Sequence, residues 1–209
     1  AKGARVLSVV NVVGSSVARE SDDVFYTWAG PEIAVASTKA YTTQLVCMYM
    51  LGLYMGRKKG IISDEVYKNY IDELLAVPDK LTSLLKQEKK IEALAKKLYK
   101  RNNVFFIGRG NDAAVAYEGS LKLKEISYIN SFAIAAGELK HGTIALIEQD
   151  TLVIALATQD RLFDKMLSNI QEVKARGAFV VGIAKENNID IELQSEAVIY
   201  IPECMADIT

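Results

Sequence analysis

The chain has 209 residues, 25 Lys plus Arg against 26 Asp plus Glu, and 50% hydrophobic residues, enough apolar material for a sizeable core and too much for intrinsic disorder. A formal net charge of −1 without a basic block argues against nucleic acid or anionic membrane as a partner, because such binding needs clustered cations to displace counterions. Cys47 and Cys204 cannot build a disulfide framework, and one histidine beside two cysteines leaves a Cys/His zinc site short of ligands. A reducing, cytoplasmic setting fits this composition, and no metal or cofactor is called for.

In chain order, residues 5–13 read as a buried strand, with 24–28 as a shorter candidate. Val35-Ala36-Ser37-Thr38-Lys39-Ala40 follows, where Ser37 or Thr38 could cap the next helix or offer a hydroxyl to a ligand. The apolar run 45–56 falls short of the roughly 20 residues that cross a bilayer and reads as a buried helix. Residues 64–75 and 81–99 read as two helices separated near Pro78, since proline inside a helix costs about 3 kcal/mol. Lysines 86, 89, 90, 96, 97 and 100 alternate with Glu88 and Glu92, the pattern of a solvated face.

Residues 104–107 form a second buried-strand pattern, followed by Gly108-Arg109-Gly110, which resembles the opening of a dinucleotide fingerprint but lacks its third glycine. The plainer role is a tight strand-to-helix turn. The helix expected over 111–129 is apolar nearly all round and should be largely buried, yet it carries Glu118, Lys122 and Glu125 at i, i+4 and i+7, on one face. Buried charges are costly unless paired or used, so the trio is either a structural pair or chemistry. His141, the sole histidine, lies in the glycine-flanked segment Gly137-Glu138-Leu139-Lys140-His141-Gly142, where a side chain could face a cleft and pass protons near neutral pH. Strand 152–157, helix 161–176 and strand 179–184 then imply a parallel sheet with a right-handed crossover, and 198–201 is a last short candidate. Gln159-Asp160-Arg161 lacks the Gly and Ser residues that cradle a phosphate.

The two ends repeat. Ala1-Lys2-Gly3-Ala4 and Ala175-Arg176-Gly177-Ala178 each precede a strand, an offset of 174 (177 − 3), and the same offset pairs Val6-Leu7 with Val180-Val181 and Val24-Phe25-Tyr26 with Val198-Ile199-Tyr200. The second copy has further elements before its Ala-Arg-Gly-Ala, so the chain is expected to start inside its first domain. It is likewise expected to stop short of the helix that would close its second.

Four blocks together carry a resemblance: Glu32 to Ala40, Gly108-Arg109-Gly110, Glu118-Gly119-Ser120-Leu121-Lys122-Leu123-Lys124-Glu125-Ile126-Ser127-Tyr128, and Ala136-Gly137-Glu138-Leu139-Lys140-His141-Gly142. The chain resembles the isomerase half of the glutamine-dependent fructose-6-phosphate amidotransferases, the glucosamine-6-phosphate synthase family, built from two sugar isomerase (SIS) domains. The resemblance implies an α/β fold of two tandem SIS domains, each a flavodoxin- or Rossmann-like three-layer parallel sheet flanked by helices, the first incomplete. The divisions are 1–58 for the C-terminal part of the first, 59–100 for a helical connector and 101–209 for the second.

It further implies that Glu125 is the base moving a proton between sugar carbons, converting a fructosimine 6-phosphate to glucosamine 6-phosphate. Lys122 would be its proton-shuttling partner and His141 the group that opens the sugar ring, reaching the neighbouring subunit of a homodimer. Val35 and Ser37 would line the sugar pocket. Fructose 6-phosphate and glucosamine 6-phosphate are the implied ligands, a glutaminase domain of the same polypeptide the implied partner, with no nucleic acid or membrane. The family's serine-rich phosphate loop would precede Ala1 and its Schiff-base lysine would follow Thr209, so the 209 residues alone should have little synthase activity. A non-catalytic phosphosugar sensor and another SIS isomerase or deglycase are the rival readings.

Overall fold

The structure, a computed structural model, describes residues 2–208. It divides into two compact units, one running through Leu74 and the other starting at Leu75. Both are α/β with parallel strands only.

In the first unit, β1 (Leu7–Val10) pairs in parallel with β2 (Asp23–Tyr26), and the short helix α1 (Ser16–Glu20) crosses between them. Ser15 caps α1 by accepting the Ala18 N–H. Both strands are shorter than their apolar runs suggest. β2 ends before Trp28, whose positive φ of 53° is not strand geometry, and the Asn11 side chain takes over, joining Thr27, Ala29 and Gly30. The strand β1 is also less buried than expected, with only Ser8 buried among its four residues. Helix α2 (Lys39–Lys58) contains the apolar run 45–56, but only Cys47 and Leu53 are buried along it. Its expected burial is therefore corrected: Leu45, Val46, Met48, Met50, Tyr54 and Met55 all remain exposed along it.

Helix α3 (Asp64–Leu85) runs unbroken through Pro78, in place of the two helices that proline propensity predicts. A proline removes one i to i−4 hydrogen bond without forcing termination. The real break comes at Gln87, before α4 (Glu88–Leu98), and Gln87 fixes it by donating from its amide to the Tyr200 carbonyl at 2.7 Å.

The second unit holds a five-stranded sheet. Its strands are β3 (Asn103–Gly108), β4 (Asn130–Ala135), β5 (Leu152–Ala157), β6 (Phe179–Lys185) and β7 (Ala197–Ile201), in the order β4-β3-β5-β6-β7. Side chains alternate between its faces. Phe105, Ile107, Val153, Ala155 and Val180 join Met166, Ile170 and Val173 of α6 (Phe163–Lys174) in one core. Val104, Phe106, Leu152 and Val181 turn to the other side, against Ala116 of α5 (Asn111–Ser127) and Leu94 and Leu98 of α4. Helices on both faces make the three-layer arrangement that continuous apolar strands require. The β4 edge strand has no counterpart in the sequence pattern.

The offset of 174 reappears in three dimensions. Leu7 pairs with Asp23 and Val10 with Tyr26, while Val181 pairs with Ala197 and Ala184 with Tyr200, the same register position for position. Val6 N–H donates to the Asp22 carboxylate at 2.7 Å, and Val180 N–H to the Glu196 carboxylate at 2.6 Å. Gly3 and Gly177 both sit at positive φ, 74° and 87°, the conformation that favours glycine.

Candidate functional site

Helix α5 is placed by its first turn and by its small residues. Gly108 lies so close to the helix start that a Cβ there would approach the Asp112 backbone to 2.5 Å, and Gly110 precedes the helix at φ 58°. Gly108-Arg109-Gly110 is thus a tight turn, the plainer of its two readings. Asp112, Ala116 and Ser120, four residues apart, form the buried stripe toward the sheet. Ser120 and Ser131 Oγ atoms meet at 3.0 Å, and Ser131 Oγ also donates to the Ser120 carbonyl, fastening α5 to β4. The remaining apolar positions of α5 stay largely open, Tyr117, Leu121 and Ile126 among them. The expected burial of this helix is corrected accordingly: it touches the sheet along one stripe.

The face away from that stripe carries the charged trio, and it forms as the spacing predicts. Lys122 Nζ lies 2.7 Å from Glu125 Oε2 and 3.3 Å from Glu118 Oε1, all three side chains between 21% and 27% exposed. The hydrogen bond to Glu125, aided by Glu118 and opposed by desolvation, holds the Lys122 ammonium above the usual lysine range. Chemically this is a carboxylate within hydrogen-bond reach of a persistent cation, the pairing that proton abstraction beside a carbonyl or imine requires.

Asp112 does different work. Its carboxylate accepts the Thr158 N–H at 2.8 Å and the Thr158 hydroxyl, tying the start of α5 to the end of β5. Burial pushes its pKa up, against the pull of these hydrogen bonds and those of Gln159. A carboxylate thus already occupies the Thr158 amide at the strand end, where an open phosphate cradle would present free donors.

His141 closes the 3-10 segment Ala136–His141, anchored by the fully buried Ala136 and Leu139. Its side chain is 74% exposed, with Glu138 Oε2 at 3.9 Å from Nε2, and it makes no ion pair with the α5 trio among the described residues. Val35 is 91% exposed and Ser37 half-buried, both in the first unit. Neither Ser37 nor Thr38 caps α2 with its side chain. Glu32 does so, its carboxylate accepting Ala40 N–H at 3.1 Å and Thr38 N–H at 3.4 Å. Sequence reasoning missed Glu32 and Asp112, although an acidic residue near a helix start is a readable signal. Among the described residues no group of three or more His, Cys, Asp or Glu is placed to hold a metal ion, and no helix is long and apolar enough to cross a membrane.

The chain thus carries a three-layer parallel α/β unit with a charged trio on α5 and a strand pair repeated in each unit, and comparison identifies the family. The SIS domain family model matches residues 1–54 and 97–209, and the chain belongs to that family. It is 59% identical over 208 residues to a glutamine–fructose-6-phosphate aminotransferase [isomerizing] of Caldanaerobacter subterraneus subsp. tengcongensis, covering 100% of this chain and 34% of that protein. The Clostridium tetani protein of the same name is 58% identical over 202 residues, covering 97% and 33%. Among solved structures, the C-terminal domain of glucosamine-fructose-6-phosphate aminotransferase from Francisella tularensis superposes with a TM-score of 0.91 at 36% identity, covering 97% of this chain and 58% of that one. The chain spans about a third of the length of the curated relatives it matches.

Proposed function

We propose that the chain is the isomerase portion of a glutamine–fructose-6-phosphate aminotransferase, comprising the C-terminal part of one SIS domain (1–58), a helical connector (59–100) and a second SIS domain (101–209). The observation that carries this reading is the Glu118–Lys122–Glu125 trio on α5, in a chain so similar over its whole length to aminotransferases of that name. In the proposed step, Glu125 removes a proton from C1 of a fructosimine 6-phosphate while the imine nitrogen takes one up from water, giving an enolamine, and Glu125 then returns its proton at C2. Loss of the O1 proton completes the aldehyde of open-chain glucosamine 6-phosphate. The Lys122 ammonium steadies the negative charge that develops as C1 loses its proton. His141 opens the sugar ring as acid and base, acting in the site of the neighbouring subunit of a homodimer, and Val35 and Ser37 line the sugar pocket. Ammonia comes from a glutaminase domain of the same polypeptide, and the enzyme works in the cytoplasm.

The test is deuterium uptake from D2O into fructose 6-phosphate by the complete polypeptide, beside a Glu125→Gln variant. Uptake by the parent that falls by about 10²–10⁴-fold in the variant is expected for loss of a general base. Binding of fructose 6-phosphate without uptake by the parent would refute the mechanism and favour a phosphosugar sensor.

A further inference from the structure

A chain of polar contacts links the loop before α5 to the segment that carries His141. Arg109, the middle residue of the tight turn after β3, donates from Nε to Asn169 Oδ1 on α6 at 2.8 Å. Asn169 is itself buried, and its amide donates to Glu172 Oε2 one turn later at 3.3 Å. The other Glu172 oxygen takes Lys140 Nζ at 2.8 Å, and Lys140 is the residue immediately before His141. The Arg109 guanidinium meanwhile lies against Gly137, with Nη2, Nη1 and Cζ at 3.4, 3.5 and 3.6 Å from the point a Cβ would occupy there. The segment Ala136–His141 is therefore gripped at Gly137 by the guanidinium and at Lys140 by Glu172, at the two ends of one relay.

Charge alone does not explain this placement. The Arg109 guanidinium donates to a neutral amide oxygen, not to a carboxylate. Its other role is as a flat surface laid on a residue without a side chain, a role that the planar guanidinium fills and an ammonium does not. We infer that Arg109 is a positioning residue for His141: through Gly137, and through Asn169, Glu172 and Lys140, it fixes the segment on which that imidazole stands. The inference rests on the proposed role of His141 in opening the sugar ring. A displacement of about 1 Å at such a group costs on the order of 10²-fold in rate when geometry limits the reaction.

The experiment is a double-mutant cycle on the complete polypeptide, read as kcat and KM for deuterium uptake into fructose 6-phosphate, with His141→Asn, Arg109→Ala and their combination. Arg109→Ala is expected to lower kcat by about 10-fold or more with KM little changed, and to add nothing further on the His141→Asn background, because a residue that acts through another loses its effect once that other is gone. Arg109→Lys, which keeps charge and a donor for Asn169, should recover only part of kcat. It and Lys140→Met, at the exposed end of the relay, repeat the cycle if Arg109→Ala does not fold. A loss from Arg109 that multiplies in full onto the His141→Asn loss, with Glu125→Gln still inactive, overturns this inference and leaves the proposed function standing. Uptake indifferent to Glu125→Gln and His141→Asn overturns both.

Discussion

Strands β1 and β2 carry the same parallel ladder as β6 and β7, residue for residue at an offset of 174, down to an acidic side chain that accepts a backbone N–H at the entry to the first strand. Their surroundings differ. Val180 is fully buried whereas its counterpart Val6 is 49% exposed, and Ile191 is fully buried whereas Val17 is 55% exposed. Hydrogen-bond register, entry turn and capping carboxylate follow from residues close in the chain, so duplication reproduces them. Burial depends on what else packs nearby: α6 and the flanking strands supply it for β6, whereas among the described residues β1 pairs only with β2 and packs against the short helix α1. Copied local geometry thus needs no copied core.

The largest expected contrast is Val180→Ala against Val6→Ala. Emptying the buried site should cost about 2–3 kcal/mol, whereas the exposed one should stay within about 0.5 kcal/mol, as read from denaturant midpoints. Equal losses would mean that Val6 is covered in solution. Next comes Gly177→Ala against Gly3→Ala. Both put a side chain at positive φ, about 1–2 kcal/mol each. Only Gly177 adds a collision, with the Gln149 carboxamide and with Gln149 Cα at 3.0 Å, whereas Gly3 faces open space; the excess should be about 1–3 kcal/mol.

The smallest contrast is confined to alkaline pH. Tyr200 and Tyr26 occupy the same place in the repeat, but where Tyr200 donates to Glu192 at 2.9 Å, the residue corresponding to Glu192 is Ala18. Burial first, and Glu192 second, push the Tyr200 phenol up to about 12. A phenol that holds its proton longer folded than unfolded stabilises the fold at lower pH, and that contribution is lost as pH climbs from 10.0 to about 12. Ultraviolet titration of Glu192→Ala should bring this ionisation down part of the way, since the burial remains; no movement would assign the whole shift to burial.

The parts of this molecule written in local periodicity are legible in the sequence alone. The strand at 152–157 is placed to the residue, because a six-residue apolar run ended by turn residues has few other uses. The trio on α5 follows from helical spacing. What escapes depends on partners distant in sequence. Strand β4 opens with Asn130-Ser131 and has one β-branched residue, Ile134, so only its pairing with β3 and the Ser120–Ser131 contact make it a strand. Propensity puts a helix break at Pro78, yet a single lost hydrogen bond in an otherwise strong helix does not end it. His141 stands out as a residue with suitable chemistry, but its glycine-flanked 3-10 segment has no periodicity from which its anchoring could be read. Arg109 reads in the sequence as part of a turn, and its link to that segment passes through Asn169, 60 residues away.

The strand order of the second unit also bears on how that unit comes into being. Strand β3 is the first of the five to leave a ribosome, and β4 and β5 take its two sides before β6 and then β7 extend the sheet outward. Every later strand therefore meets an edge already in place, and none has to be inserted between two finished neighbours. The exposed edge therefore advances with synthesis, strand by strand. Pulse-labelled hydrogen exchange during refolding should protect β3 and β5 no later than β7, and protection beginning at β7 would reverse that order. On this account the sheet is a structure that grows outward from β3, chiefly to one side, at the pace at which its strands are made.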